Sequence, residues 1–283
     1  MSRDLVLARV GRNSLHGCWI DRGQQRNWDL MLVPYQEMPP QDPADCSVSE
    51  IIPGPKWAGL RELLNTWDGW RDYDHIWMPD DDIFTSQSTI GSMFDMAAAL
   101  RLDLFAPAMH ETSYYAHFDT MVNRRFGGRR TGFVEIMMPG FSRAALERLL
   151  PTLDLTPTGW GWGLDSLWPK LLDYQNIAVL DSVPMIHTRP VGQMRDADLA
   201  ARVRAESDAI FAEYDCRQVH TTFSAFDANL EPLTLSPEQL LAELVRGSAY
   251  LIERDPRLLA WLVDYQRPEA GWPAYPIEGT PGS

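Results

Sequence analysis

The chain has little cysteine. Three residues in 283, Cys18, Cys46 and Cys216, are scattered and odd in number. No disulfide framework or cysteine-based zinc spacing can be assembled from them, and a reducing, cytoplasmic compartment is expected. Positive charge is also scarce: 25 Lys and Arg stand against 39 Asp and Glu, a net charge of −14. Such a surface repels phosphate backbones and anionic membranes, which argues against general nucleic-acid binding. Long apolar runs are missing. The opening MSRDLVLARVGRN has no signal-peptide core. No stretch approaches the roughly 18–20 apolar residues needed to cross a bilayer, so a soluble protein is expected. There is no internal repeat and no low-complexity tract. No GxGxxG, Walker loop, GxSxG or HExxH occurs in a suitable context, so hydride-transfer, P-loop and serine-hydrolase readings lose their main support.

What remains is an ordinary globular composition, 45% hydrophobic and 23% charged. A chain of this length buries a core without staples, as one large or two small domains. Tryptophan is in excess, at 11; its rings stack on planar bases and sugar faces, and also fill cores. Apolar runs at 5–10, 29–35, 49–52, 73–78, 104–109, 133–138 and 177–186 predict strands. Between them lie helical patterns at 56–67, at 86–100 behind a Ser86 or Ser88 cap, and from the Ser142 cap to 150. The expected fold class is α/β, a mostly parallel central sheet flanked by helices. Residues 110–131 are polar and arginine-rich, and read as a long functional loop, a candidate lid. After Gly192 the spacing turns helical, at 196–214 and 236–253. The expected organisation is therefore a main domain over 1–192, a helical extension over 193–272 and a frayed tail over 273–283. The extension is expected to cap the sheet edge; a homodimer interface and an acceptor contact are the alternatives.

Three motifs follow predicted strands, where open α/β sheets bind ligands. The first is Asp80-Asp81-Asp82 after HIWM. In extended backbone Asp80 and Asp82 point the same way. Two carboxylates plus substrate phosphates commonly hold Mg²⁺ or Mn²⁺. A solvated acidic turn is the plain alternative. The second is GWGWGLD, where Gly159, Gly161 and Gly163 permit close ligand approach. Trp160 and Trp162 offer walls for a sugar ring, and Asp165 is either a helix cap or a general base. The third is His187 in MIHTRP, structural or a metal ligand.

Together these pieces resemble a metal-dependent glycosyltransferase of the GT-A type. The resemblance implies a nucleotide-sugar-binding catalytic domain over 1–192. Asp80 and Asp82 match its Asp-x-Asp motif, Asp165 its inverting base, and His187 the residue completing its metal shell around Mn²⁺ or Mg²⁺. Asp81, Trp160, Trp162 and Gly163 would line the donor or acceptor. Glu135, on a predicted strand, is a site partner or a paired core carboxylate. Lys56, Arg129 and Arg130 would meet the diphosphate, or simply carry surface charge. The implied partners are a nucleotide-sugar donor and a glycan, lipid-linked or small-molecule acceptor. A narrower resemblance, over roughly 1–195, is to the plant and bacterial family called lysine-ketoglutarate reductase trans-splicing related. It rests on the acidic triplet and on TGFVEIMMPGFSRAALERLL, WGLD and VLDSVPMIHTRP. Two other classes compete: a metal-dependent phosphoryl or nucleotidyl transferase using the same aspartates, and a non-catalytic nucleotide- or sugar-binding protein.

Overall fold

The first strand, β1 (Asp4–Val10), is buried at every residue, as expected of a strand covered on both faces. Its side chains alternate between two cores. Leu5 and Leu7 join one cluster with Trp57, Leu60 and Trp168, while Val6, Ala8 and Val10 join another with Ile90, Phe94 and Leu244. The molecule is thus layered, with a sheet between two sets of helices. The computed structural model describes residues 3–191, 194 and 196–267. The expected boundary near 192–193 and the tail at 273–283 lie outside the described residues.

The remaining strands are β2 (Trp28–Pro34), β3 (Ser47–Val48), β4 (His75–Trp77), β5 (Ile83–Phe84), β6 (Leu104–Met109), β7 (Gly128–Gly132), β8 (Gly140–Ser142), β9 (Ile177–His187) and β10 (Val219–Phe226). Their order is β10-β7-β9-β6-β8-β4-β1-β2-β3, with β5 paired to β9. The pairings β1–β2, β1–β4, β2–β3 and β6–β9 are parallel. Strands β7 and β8 run against their neighbours. With β5 antiparallel to β9 as well, the sheet is mixed: a parallel framework with three reversed strands.

On one face lie α1 (Lys56–Thr66), α3 (Arg143–Leu149), α4 (Leu164–Leu171) and α5 (Ala197–Tyr214). On the other lie α2 (Gln87–Ala99), α6 (Pro237–Gly247), α7 (Ala249–Arg254) and α8 (Arg257–Tyr265). Local chemistry sets several helix starts. The Ser86 side chain accepts from Thr89 N, Ser142 from Ala145 N, and Ser236 with Gln239 forms a reciprocal capping box. Among the described residues no helix is long and apolar enough to cross a membrane.

Four expectations need correction. The run 49–52 follows the two-residue strand β3 and is not itself a strand. The run 133–138 is buried but is not a strand; it is an irregular crossing between β7 and β8. Its carbonyl groups serve the site: Ile136 O and Met137 O accept from Lys56, and Met137 O also from Asp80 N. The region after Gly192 is not wholly helical either, because β10 pairs antiparallel with β7 at the sheet edge. The arginine-rich 110–131 stretch is packed rather than loose. Phe118, Met121 and Phe126 are buried in it, and Asn123 Nδ2 donates to Leu244 O at 3.0 Å.

Candidate active site

The chain leaves β1 toward β2 on one side and later returns as β4 on the other. The gap between their carboxyl ends is a topological switch point, the usual ligand crevice of such sheets. The acidic triplet follows β4 into this gap. Asp81 turns back toward β1. It accepts from Gly11 N at 2.9 Å, Tyr35 Oη at 3.0 Å and Arg189 Nη1 at 2.8 Å. A Cβ at Gly11 would lie 2.2 Å from the Tyr35 hydroxyl oxygen, so a larger residue there would displace the Tyr35 side chain from Asp81. Both oxygens of Asp81 are engaged by these three donors, so it anchors the triplet to the sheet.

Asp80 and Asp82 converge with His187. One donor atom from each lies within 4.8 Å of the others. The join is made by β5, where Ile83 pairs with His187 and Thr188 Oγ1 donates to Asp82 O at 2.8 Å. His187 Nδ1 lies 3.0 Å from Tyr114 O. A carbonyl can only accept, so Nδ1 carries the proton, and Nε2 is left to face Asp82 Oδ2 at 3.3 Å. A backbone carbonyl fixing the distal nitrogen is the arrangement that prepares a histidine for a metal. Burial raises the pKa of Asp82, with His187 opposing and Asp80 adding to the rise. Two carboxylates and one imidazole form a donor set suited to a hard or borderline divalent cation.

Lys56 opens α1 beside this group. Its ammonium lies 2.7 Å from Asp80 Oδ1 and donates to Ile136 O at 2.8 Å and Met137 O at 2.7 Å. An ammonium has three hydrogens, so Lys56 orients Asp80 and the 133–139 crossing instead of reaching for a diphosphate. Burial lowers its pKa, against the pull of Asp80.

Glu135 sits on that crossing, 5% exposed, with Oε2 3.4 Å from Thr120 Oγ1, whose one hydrogen goes to His117 O at 2.6 Å. Burial first, then the nearby charges of Asp165, Asp119 and Asp80, raise it well above the ordinary carboxylate range. Asp165 is buried in the first turn of α4, but it is not the cap; that position is Gly163, at φ +91°. Burial pushes Asp165 up to about 6, with a hydrogen bond from Ser166 and the charge of His220 holding it back.

The glycine loop packs on α1. Gly159 O accepts from Trp57 N at 3.1 Å, and a Cβ on Gly161 (φ +79°) would lie 2.3 Å from the Trp57 ring. Since α1 also presents Lys56 to Asp80, one helix links the loop to the triplet. Trp162 is half-buried and Trp160 is exposed. The two arginines are placed elsewhere. Arg129 is 4% exposed and grips Asp181 of β9 through Nε at 2.8 Å and Nη2 at 2.9 Å. Arg130 Nη2 donates to Leu100 O, and its guanidinium lies 6.0 Å from the Phe226 ring. Sequence reading missed Arg189, Tyr35 and Gly11. The placement of Gly11 directly after an apolar strand was the one available signal.

No family model matches the chain, so the narrower family resemblance is not confirmed, and no curated protein matches it. Solved structures do align. A crystal structure of S. aureus TarS superposes with TM-score 0.44 at 13% identity, over 94% of this chain and 53% of that one. TarS 1–349 in complex with UDP-GlcNAc gives 0.43 at 11%, over 94% and 72%. TarS 1–349 in complex with UDP gives 0.42 at 12%, over 94% and 88%. The chain thus spans about half the length of the first of these. Scores this low describe a loose superposition, and the chemistry of the site has to be taken from its own residues.

Proposed function

We propose that the protein is a GT-A-type glycosyltransferase that moves a sugar from a nucleotide diphosphate to a hydroxyl acceptor. The observation that carries this reading is the convergence of Asp80, Asp82 and His187 at the switch point; buried Glu135 feels the charge of both Asp80 and buried Asp165. Asp80, Asp82 and His187 would hold Mn²⁺ or Mg²⁺, which when bound neutralises charge on a departing diphosphate. Asp81 and Lys56 keep the two ligating carboxylates aimed. Asp165, with a pKa of about 6, is suited to take the proton of an acceptor hydroxyl near neutral pH, a contribution of roughly 10²–10⁴ in rate. Glu135, raised well above the ordinary carboxylate range by burial and by the charge of Asp165, lies within electrostatic reach of the base. Asp165 acting as a base rather than as a nucleophile is the inverting case. Trp160 and Trp162 would flank the sugar. The acceptor class is a glycan, a lipid-linked glycan or a small-molecule hydroxyl.

The test is a thermal-shift panel of nucleoside diphosphates and their sugars, with and without Mn²⁺. A ligand at about 100 times its Kd stabilises by about 2.7 kcal/mol. A metal-dependent shift with one diphosphate, lost in Asp82→Ala, is expected. A folded protein that responds to none of them would overturn the reading.

A further inference from the structure

A second convergent group lies around β10. His117 is the N-cap of the short 3-10 turn Phe118–Thr120, Asp119 lies within that turn, and His220 comes from β10 itself. One donor atom of each lies within 4.8 Å of the others. His220 Nδ1 is 2.9 Å from Asp119 Oδ2. The other carboxylate oxygen, Asp119 Oδ1, is buried and has no hydrogen-bond partner among the described residues; His117 Nδ1 is in the same position. The Asp119 side chain is 8% exposed and that of His220 0%. Leaving such a carboxylate oxygen without a donor or water is costly.

The surroundings are aromatic. Phe133 lies 4.7 Å from His117 and 4.4 Å from His220, and Tyr265 stacks on His220 at 4.6 Å. Two imidazoles and a carboxylate form a set that zinc accepts, whereas Mg²⁺ and Ca²⁺ prefer oxygen alone.

We propose that His117, Asp119 and His220 bind a divalent transition metal of the zinc class, which clips β10 to the 117–120 turn. Three protein ligands leave the fourth tetrahedral position to water. The clip would give both orphaned atoms a partner. It would also steady Thr120, whose hydroxyl oxygen lies 3.4 Å from Glu135 Oε2. The ligand set shares no residue with the Asp80 group.

Co²⁺ is the probe, because it takes zinc's ligands and absorbs visible light in a tetrahedral nitrogen–oxygen site. Full-length protein stripped with a chelator and titrated with Co²⁺ is expected to develop this band, and Zn²⁺ is expected to displace it. The band should survive Asp82→Ala and weaken at least tenfold in apparent affinity in Asp119→Asn. Should Asp119→Asn fail to fold by circular dichroism, His117→Gln replaces it, since His117 is only partly buried. Zn²⁺ is also expected to raise Tm in wild type and in Asp82→Ala, but not in Asp119→Asn. Folded wild-type protein with no band and no Zn²⁺ shift would overturn the proposal. So would a band lost in Asp82→Ala and kept in Asp119→Asn. No turnover is read, so the result is independent of the reaction at the other site.

Discussion

Asp165 is ionised at neutral pH against the preference of its surroundings. Its folded value of about 6 lies above the ordinary 3.8, so the folded protein holds this proton more tightly than the unfolded chain. Between those two values rising pH lowers stability, and above about 6 the full loss is present. Asp165→Asn removes the buried charge and keeps the shape. It is expected to raise stability at neutral pH by at most about 3 kcal/mol, while lowering kcat roughly 10²–10⁴-fold. Thermal melts and glycosyl-transfer assays on one preparation check both halves. In wild type, kcat/KM is expected to rise tenfold per pH unit up to about pH 6 and then level. Arg129 makes the opposite case. Its pairing with Asp181 is fully buried, and removing one partner of such a pair costs about 3–5 kcal/mol. Arg129→Met should therefore lower the urea midpoint sharply. Under native conditions it should leave nucleoside diphosphate affinity unchanged, which a diphosphate-binding arginine would not.

Elements show where sequence reading reaches its limit. Strands β1, β2, β6 and β9 were legible because each is a largely apolar run, β1 and β6 buried throughout and β2 and β9 over most of their length. The serine caps were legible because their chemistry is local. The run at 133–138 has the same composition as a strand but no partner strands at the right place. Burial without a ladder looks the same in one dimension. β10, VHTTFSAF, escaped for the converse reason. It is an edge strand whose burial alternates irregularly, and the register shifts against β7 break its period. At the site, Asp80, Asp82, Asp165 and His187 each stand just beyond an apolar run or a glycine turn, so position alone marked them. Arg189 and Tyr35 matter only because folding brings them to Asp81. The glycine loop yields a further prediction. Gly161→Ala combines a left-handed φ of +79° with a Cβ 2.3 Å from Trp57, whereas Gly17 has nothing within 4 Å. Gly161→Ala is expected to cost about 1–3 kcal/mol, and Gly17→Ala to stay within about 0.5 kcal/mol, measured by denaturant unfolding.

At the scale of the whole molecule, the part after residue 192 completes the fold. Leu240, Leu244, Leu251, Leu258 and Leu262 belong to the same core cluster as Val6 and Val10 of β1. A chain ending before Asp196 would expose that face and leave β7 as an open edge. Such a chain is expected to lose its cooperative thermal transition and to elute as aggregate in size-exclusion chromatography. The pairing of β5 with β9 has a mechanical meaning as well. It joins backbone more than a hundred residues apart, Ile83 to His187, and Thr188 N closes the ring by donating to Asp82 O at 3.2 Å. The two ends of the candidate metal site are therefore one hydrogen-bonded piece, and they open together or not at all. Amide exchange at Thr188 should follow global unfolding, while the loop bearing exposed Trp160 exchanges through local opening. Adaptation to an incoming ligand then belongs to the tryptophan loop, and the spacing of Asp82 and His187 is as permanent as the fold.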